Sequence, residues 1–197
     1  MNRQQGIALP VALILFVVMM IGALYLARSS TSSALVVSNL AYQKTLSRAA
    51  DLGLLRGNDL LSQRHQGGPL LKASLDNDIA GQGYVAAFPN SPPGVPTFTP
   101  LDAQFWVGSV TVNDIQGSGF NVEYVIHRLC SLKQPFAFGG NQCVISHPTV
   151  STPGGLDADP IPPPADPPLI HYLITSRVVN SQRGSSVTNQ MVVMLGA

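Results

Sequence analysis

Residues 7–27 read IALPVALILFVVMMIGALYLA, and no charged side chain occurs between Arg3 and Arg28. As a helix rising about 1.5 Å per residue, this stretch is roughly 31 Å long, close to the hydrocarbon thickness of a bilayer. Pro10 is tolerated if the helix begins at Ile7, because the first four backbone N–H groups of a helix have no acceptor within it. The sequence therefore predicts one transmembrane helix over residues 7–27. A cleaved secretory signal is the alternative, but its apolar region would be shorter.

Helical periodicity continues beyond this stretch. Val36 and Leu40 are four residues apart, and further apolar residues extend the pattern: Tyr42, Leu46, Ala49, Leu52, Leu55 and Leu61. The sequence Gly67-Gly68-Pro69 then gives a strong stop signal. We therefore expect the helix to continue over residues 28–66 and a globular domain to occupy residues 67–197.

Length and composition limit the classes of function. A chain of 197 residues suits one domain plus an anchor. Charged residues make up only 11% of the chain and the formal net charge is +1. Electrostatic capture of nucleic acid needs a basic surface, so we expect no nucleic-acid partner.

The chain has two cysteines, Cys130 and Cys143, on either side of a loop that contains Gly139, Gly140 and Asn141. An even number of cysteines in an exported domain predicts a disulfide. Closing so short a loop stabilises the fold by about 3 kcal/mol in the chain-entropy model. Two unpaired thiols are the alternative. A metal site is disfavoured because the nearby imidazoles show no compact ligand spacing.

The rest of the domain is rich in short β-type runs, which predict antiparallel strands. The runs are Gly83 to Phe88, Gln104 to Val112, Phe120 to Leu129, Leu169 to Val179 and Ser186 to Leu195. Turn-forming residues separate the second run from the third and the fourth from the fifth, so each of these pairs predicts a hairpin.

A proline-rich segment, Pro148 to Pro168, predicts an exposed loop. Calcium binding by Asp157, Asp159 and Asp166, or recognition of its prolines by a partner, remains open there. The chain lacks a nucleotide-binding glycine loop, a G-x-S-x-G elbow and an H-E-x-x-H pair. We therefore expect no catalytic residues, no metal, no cofactor and no enzyme activity.

The residues Gln5 to Pro10 and the apolar run behind them resemble the class III leader of type IV pilins and type II secretion pseudopilins. The resemblance implies that prepilin peptidase cuts after Gly6 and that the new N-terminal residue, Ile7, is methylated. It departs from the family at the fifth mature position, where Val11 stands in place of the usual glutamate. Minor pilins of the PilX type and tip subunits of secretion pseudopili often lack that acid, so the departure leaves the position within a fibre open.

Two later segments also resemble PilX-type minor pilins. They are Tyr172 to Arg177 with the hairpin that follows it, and Tyr124 to Cys130. The resemblance implies an α+β pilin-like fold, in which a long N-terminal helix packs on a C-terminal antiparallel sheet.

The same resemblance implies a single-pass protein of the bacterial inner membrane, with its C-terminal domain in the periplasm until it is assembled into a pilus. The implied partners are other minor and major pilins, prepilin peptidase and the inner membrane, in pilus assembly, priming or a tip complex. The alternatives are a minor pseudopilin of type II secretion and a signal-anchored periplasmic enzyme or binding module. Arginine and lysine counts around the helix mildly favour the opposite orientation, and the cysteine pair and the leader outweigh them.

Overall fold

The computed structural model describes residues 8–88, 99–114, 120–147, 167–180 and 185–197. Two compact units make up the chain, Met1–Thr45 and Leu46–Ala197. The leader residues Gly6 and Ile7 lie outside the described residues, as does the segment 148–166, on which the calcium and polyproline alternatives fall.

Helix α1 runs from Ala8 to Gln66, which agrees with the predicted helix over residues 7–66. It ends where the glycines begin. Gly68 has a φ of 99°, a left-handed conformation that favours glycine, and Pro69 opens the short helix α2, Pro69–Ala73. The predicted stop signal is confirmed.

Among the described residues, two 3-10 helices and six strands follow α2. In chain order they are a 3-10 helix Ser74–Asp76, β1 Tyr84–Val85, a 3-10 helix Ala103–Trp106, β2 Val110–Val112, β3 Val122–Arg128, β4 Ile145–Ser146, β5 Leu169–Asn180 and β6 Ser185–Gly196.

These six strands form one sheet. β3 and β5 lie at its centre, and β6 forms one edge. β3 pairs antiparallel with β5 from Val122↔Val178 to Arg128↔Tyr172, and β5 pairs antiparallel with β6 along its whole length. β2 and β1 lie on the other side of β3, and β4 pairs with the start of β5. The predicted β5–β6 hairpin and the predicted antiparallel pairing of β2 with β3 are confirmed.

The prediction of a wholly antiparallel sheet is wrong, because β1 pairs parallel with β3. The sheet is therefore mixed. A tight hairpin forces antiparallel pairing, but the long connection from β1 to β3, residues 86–121, permits a parallel crossover. Of the predicted strand Gly83 to Phe88, only Tyr84–Val85 is a strand.

The predicted strand Gln104 to Val112 is also wrong in its first half, which is the 3-10 helix Ala103–Trp106. Phe105 and Trp106 are adjacent, yet both are buried in one cluster with Phe88 and Val125, whereas adjacent strand residues point to opposite faces. Trp106 Nε1 donates to the Pro100 carbonyl at 2.8 Å, which fixes this turn.

The cluster of Phe88, Phe105, Trp106 and Val125 covers one face of the sheet. The C-terminal part of α1, from Leu46 onward, packs on the opposite face. Leu46, Ala49 and Leu61 are buried, as the stripe predicts, but Leu55 is 53% exposed. Gly53 and Gly57 occupy the closest approach instead. A Cβ on Gly57 would lie 2.8 Å from Cγ2 of Ile174, so these glycines let the helix backbone approach the sheet.

Candidate functional site

The apolar part of α1 presents large hydrophobic side chains outward all around the helix. Those from Leu9 to Leu26 are between 46% and 75% exposed, and none of the most apolar window is buried within the protein. A helix that is apolar on all sides is covered by lipid or by other protein. Among the described residues, α1 is the one helix that is long and apolar enough to cross a membrane.

Val11 lies in the first turns of α1, with its side chain about half exposed. A glutamate there would place a carboxylate in an uncharged stretch, because no charged residue precedes Arg28 within the helix. A lone charge at that depth costs several kcal/mol in a bilayer. Between Ala8 and Ala27 the helix therefore has no acidic or basic side chain.

A second apolar surface follows a polar band on α1. Residues 28–33 read RSSTSS, and after them Leu35, Val36, Val37 and Leu40 are each 65–67% exposed. This surface lies beyond residues 7–27, which already suffice to cross a bilayer. Val36 and Leu40 belong to the predicted helical stripe, but their side chains point outward.

Cys130 and Cys143 lie at disulfide distance, with 2.01 Å between the sulfur atoms and 4.0 Å between the Cα atoms. Asn141, within the loop, holds its backbone in place. Its side-chain amide donates to the Gln134 carbonyl at 2.8 Å, and its oxygen accepts from the Leu132 N–H at 3.1 Å. The sequence identified the loop through its glycines and asparagine, and the structure shows that the asparagine side chain organises it.

Arg128 is a structural residue that the sequence did not single out as an ion-pair partner. Its side chain is buried, and Nη1 donates to Asp76 Oδ1 at 2.9 Å, to the Gln134 carbonyl at 3.1 Å and to the Leu75 carbonyl at 3.3 Å. A buried cation is tolerated when it is paired and hydrogen-bonded. Arg128 thereby ties the disulfide loop to the 3-10 helix after α2.

Polar contacts of Arg177 and Glu123 hold the turn Ala103–Trp106 against the face of the sheet that points away from α1. Arg177 lies 3.9 Å from the centre of the Trp106 ring, and its Nε donates to Glu123 Oε2 at 2.6 Å. Ser109 donates to the other oxygen of Glu123. The arrangement combines a cation–π contact with a charge-assisted hydrogen bond, which explains how Trp106 packs on this face.

His127 is buried on β3 between Phe88 and Phe105, with ring centroids 4.6 and 4.8 Å away. Burial lowers its pKa from 6.5 to about 4, so the ring is neutral at physiological pH. It contributes to the wall of a cleft of about 610 Å³ that also contacts the Lys133–Asp78 ion pair. His127 is therefore a core residue that packs the sheet.

The other three histidines form no cluster with metal-ligating or carboxylate side chains among the residues that the structure describes. Ser146 Oγ and His171 Nε2 are 2.7 Å apart, but no carboxylate among the described residues hydrogen-bonds to His171. Where the structure describes the chain, it contains no group of three His, Cys, Asp or Glu side chains that could hold a metal ion. A serine–histidine contact without an orienting acid is a weak basis for nucleophilic catalysis.

No protein-family model matches the chain, and neither the curated proteins nor the solved structures include a significant match.

Proposed function

We propose that this chain is a structural subunit of the pilin and pseudopilin class, acting as a minor pilin-like component in pilus assembly, priming or a tip complex. In this proposal residues 7–27 anchor the unprocessed subunit in the bacterial inner membrane, and the sheet domain faces the periplasm. The Cys130–Cys143 pair supports an oxidising compartment, because disulfides persist there.

The exposed apolar surface at Leu35, Val36, Val37 and Leu40 carries the proposal. A plain anchor needs only about 20 apolar residues, which residues 7–27 supply. Leaving each further large aliphatic side chain in water costs about 1.5–3 kcal/mol relative to burial. A helix that is apolar on both sides of a polar band is therefore suited to packing against other helices of an assembly, first in the membrane and then outside it.

An enzyme is the less supported alternative, because the described histidines and carboxylates form no catalytic constellation. A pseudopilin of type II secretion has the same helix chemistry as a minor pilin. The neighbours with which the subunit is recovered, pilins or secretion components, distinguish the two.

Processing at the N-terminus tests the proposal. Gly6→Leu should leave a slower-migrating precursor, because a protease that accepts only a small residue beside the scissile bond cannot cut it. Gly22→Leu is the matched control, since no atom lies within 4 Å of the position of its Cβ. Mass spectrometry of the wild-type protein should find N-methylated Ile7. An intact Met1, or a mature form that persists in Gly6→Leu, would contradict the proposal.

A further inference from the structure

The outer edge of β6 is long, and in the part of the chain that the structure describes it lacks the usual protection of an edge strand. β6 pairs with β5 over all of Ser185–Gly196, and among the described residues no strand pairs with its other side. The strand contains no charged residue and no proline. Natural sheets usually protect such an edge with lysine, proline, a bulge or a covering element, because its unpaired backbone groups otherwise bind another strand.

The backbone hydrogen bonds show which groups of β6 point outward. The Leu129 N–H donates to the His171 carbonyl on the β3 side of β5, and the Ala197 N–H donates to Pro168. Odd-numbered residues at the end of β6 therefore bond to β5, and the antiparallel register extends this alternation along the strand. The N–H and C=O groups that point away from the sheet belong to Ser186, Thr188, Gln190, Val192, Met194 and Gly196.

The side chains of the same residues point to the face away from α1. Asn189, on the opposite face, donates to Asp51 of α1 at 2.7 Å. Val192 and Met194 are 53% and 50% exposed, and Val192 lies opposite Leu173 in the neighbouring strand. The C-terminal half of the edge thus combines unpaired backbone groups with an exposed apolar strip.

We propose that the outer edge of β6 binds an extended strand from another polypeptide. The uncharged edge favours an uncharged segment, with apolar side chains opposite Val192 and Met194 and polar ones opposite Thr188 and Gln190. Main-chain hydrogen bonds supply affinity in this kind of strand addition, and alternate side chains supply specificity. The inference stands on the sheet alone and does not require the proposed role in a fibre.

The position of α1 disfavours a second copy of this chain as the occupant. Asn189 Nδ2 reaches Ser47 Oγ at 3.2 Å as well as Asp51, so this turn of α1 lies over β6. If two β6 edges paired antiparallel about a two-fold axis, both α1 helices would lie on the same face of the joint sheet. The turn at Ser47 and Asp51 from each copy would then meet at the junction between the two β6 strands. A single extended strand introduces no second helix there.

Amide hydrogen exchange on the full-length, isotope-labelled protein in detergent micelles tests the proposal. The probe is a capped peptide about nine residues long, which is enough to pair with most of β6. It has valine at the positions opposite Val192 and Met194 and threonine at the positions opposite Thr188 and Gln190. It is N-methylated along one edge, so that it pairs through the other edge only. The matched control peptide is N-methylated at every residue. The probe should slow exchange of the Gln190, Val192 and Met194 amides about tenfold or more, and the control peptide should not.

Two protein variants separate edge pairing from non-specific binding. Val192→Lys should abolish the protection, because it adds a charge to the apolar strip. Leu101→Lys, at a side chain that is 95% exposed on another part of the chain, should retain it. Absence of protection, equal protection by the fully methylated peptide, or outward amides already protected in the free monomer would overturn the proposal. A concentration-dependent dimer joined at β6 would also overturn it, in favour of a second copy.

Discussion

Acidification is expected to destabilise the sheet domain through His127. The ring lies between Phe88 and Phe105, and no described residue hydrogen-bonds to its Nδ1. Burial lowers its pKa from 6.5 to about 4, and desolvation is the cause. Protonation in the folded state would place a charge among aromatic rings with no described partner at Nδ1.

The sign and size of the effect follow from the two pKa values. The folded protein binds the His127 proton less readily than the unfolded chain, so stability is greatest above pH 6.5 and is lost as the pH falls from 6.5 toward 4. At roughly 1.4 kcal/mol per pKa unit, this loss amounts to about 3 kcal/mol when the fall is complete. Such a loss is a large fraction of the stability of a small domain.

Urea denaturation measures this effect on the full chain in micelles, with the cysteine pair unreduced. Trp106 is the single tryptophan and is buried, so its fluorescence reports unfolding of this domain. His127→Leu removes the titrating group at similar side-chain volume. Between about pH 7.5 and about pH 4.5 the wild type should lose about 2–3 kcal/mol more than this variant.

Other groups that titrate in acid, such as Asp102, whose pKa is lowered by hydrogen bonds from Thr99, are present in both proteins and cancel in the comparison. Parallel loss of stability in the wild type and His127→Leu would refute the reasoning. A pKa of His127 near 6.5, measured in the folded protein by NMR, would refute it independently.

Three further outcomes are expected. Gly53→Ala should destabilise the domain by about 2–3 kcal/mol in urea unfolding, because its Cβ would lie 2.6 Å from a valine methyl group on β3, whereas Gly139→Ala, with open space around it, should have no effect. Non-reducing peptide mapping should recover Cys130 joined to Cys143, and two alkylatable thiols in the folded protein would contradict both the bridge and the exported location. Because Val11 supplies no carboxylate for a neighbouring subunit, the protein should occur in trace amounts in sheared fibres, and quantitative proteomics showing abundance like that of a major subunit would contradict this.

The parts of the fold that the sequence predicted are those with long, regular periodicity. Helix α1 and the strands β3, β5 and β6 each repeat one pattern over at least seven residues. The segment 104–112 misled the prediction because its apolar residues alternate as in a strand. Phe105 and Trp106 instead pack together on one side of the chain. The hydrogen bond from Trp106 Nε1 to the Pro100 carbonyl holds them there, and no hydrophobic pattern in the sequence reveals that bond.

The helix stripe illustrates a different limit. Hydrophobic periodicity placed Leu55 on the sheet side of α1, whereas the structure places Gly53 and Gly57 there and leaves Leu55 in solvent. A glycine contributes no apolar surface, so it carries no weight in a hydrophobic pattern. Its role depends on how closely the sheet approaches the helix, which is a property of tertiary packing.

Some candidate functional residues were predicted from the local sequence, and others were found only from tertiary packing. The assignment of Gly6 and Ile7 depends on the resemblance of the leader, and their processing is still to be measured.

Two uncharged surfaces became visible only when the fold was known, because exposure depends on contacts between residues distant in sequence. The first is the helix surface Leu35–Leu40, whose backbone hydrogen bonds are made within the helix, so a partner can reach it only through side chains. The second is the edge of β6, which offers backbone groups together with side chains, so it selects an extended strand. One partner element cannot satisfy both surfaces, and we therefore expect variants at Val36 and at Val192 to affect different interactions.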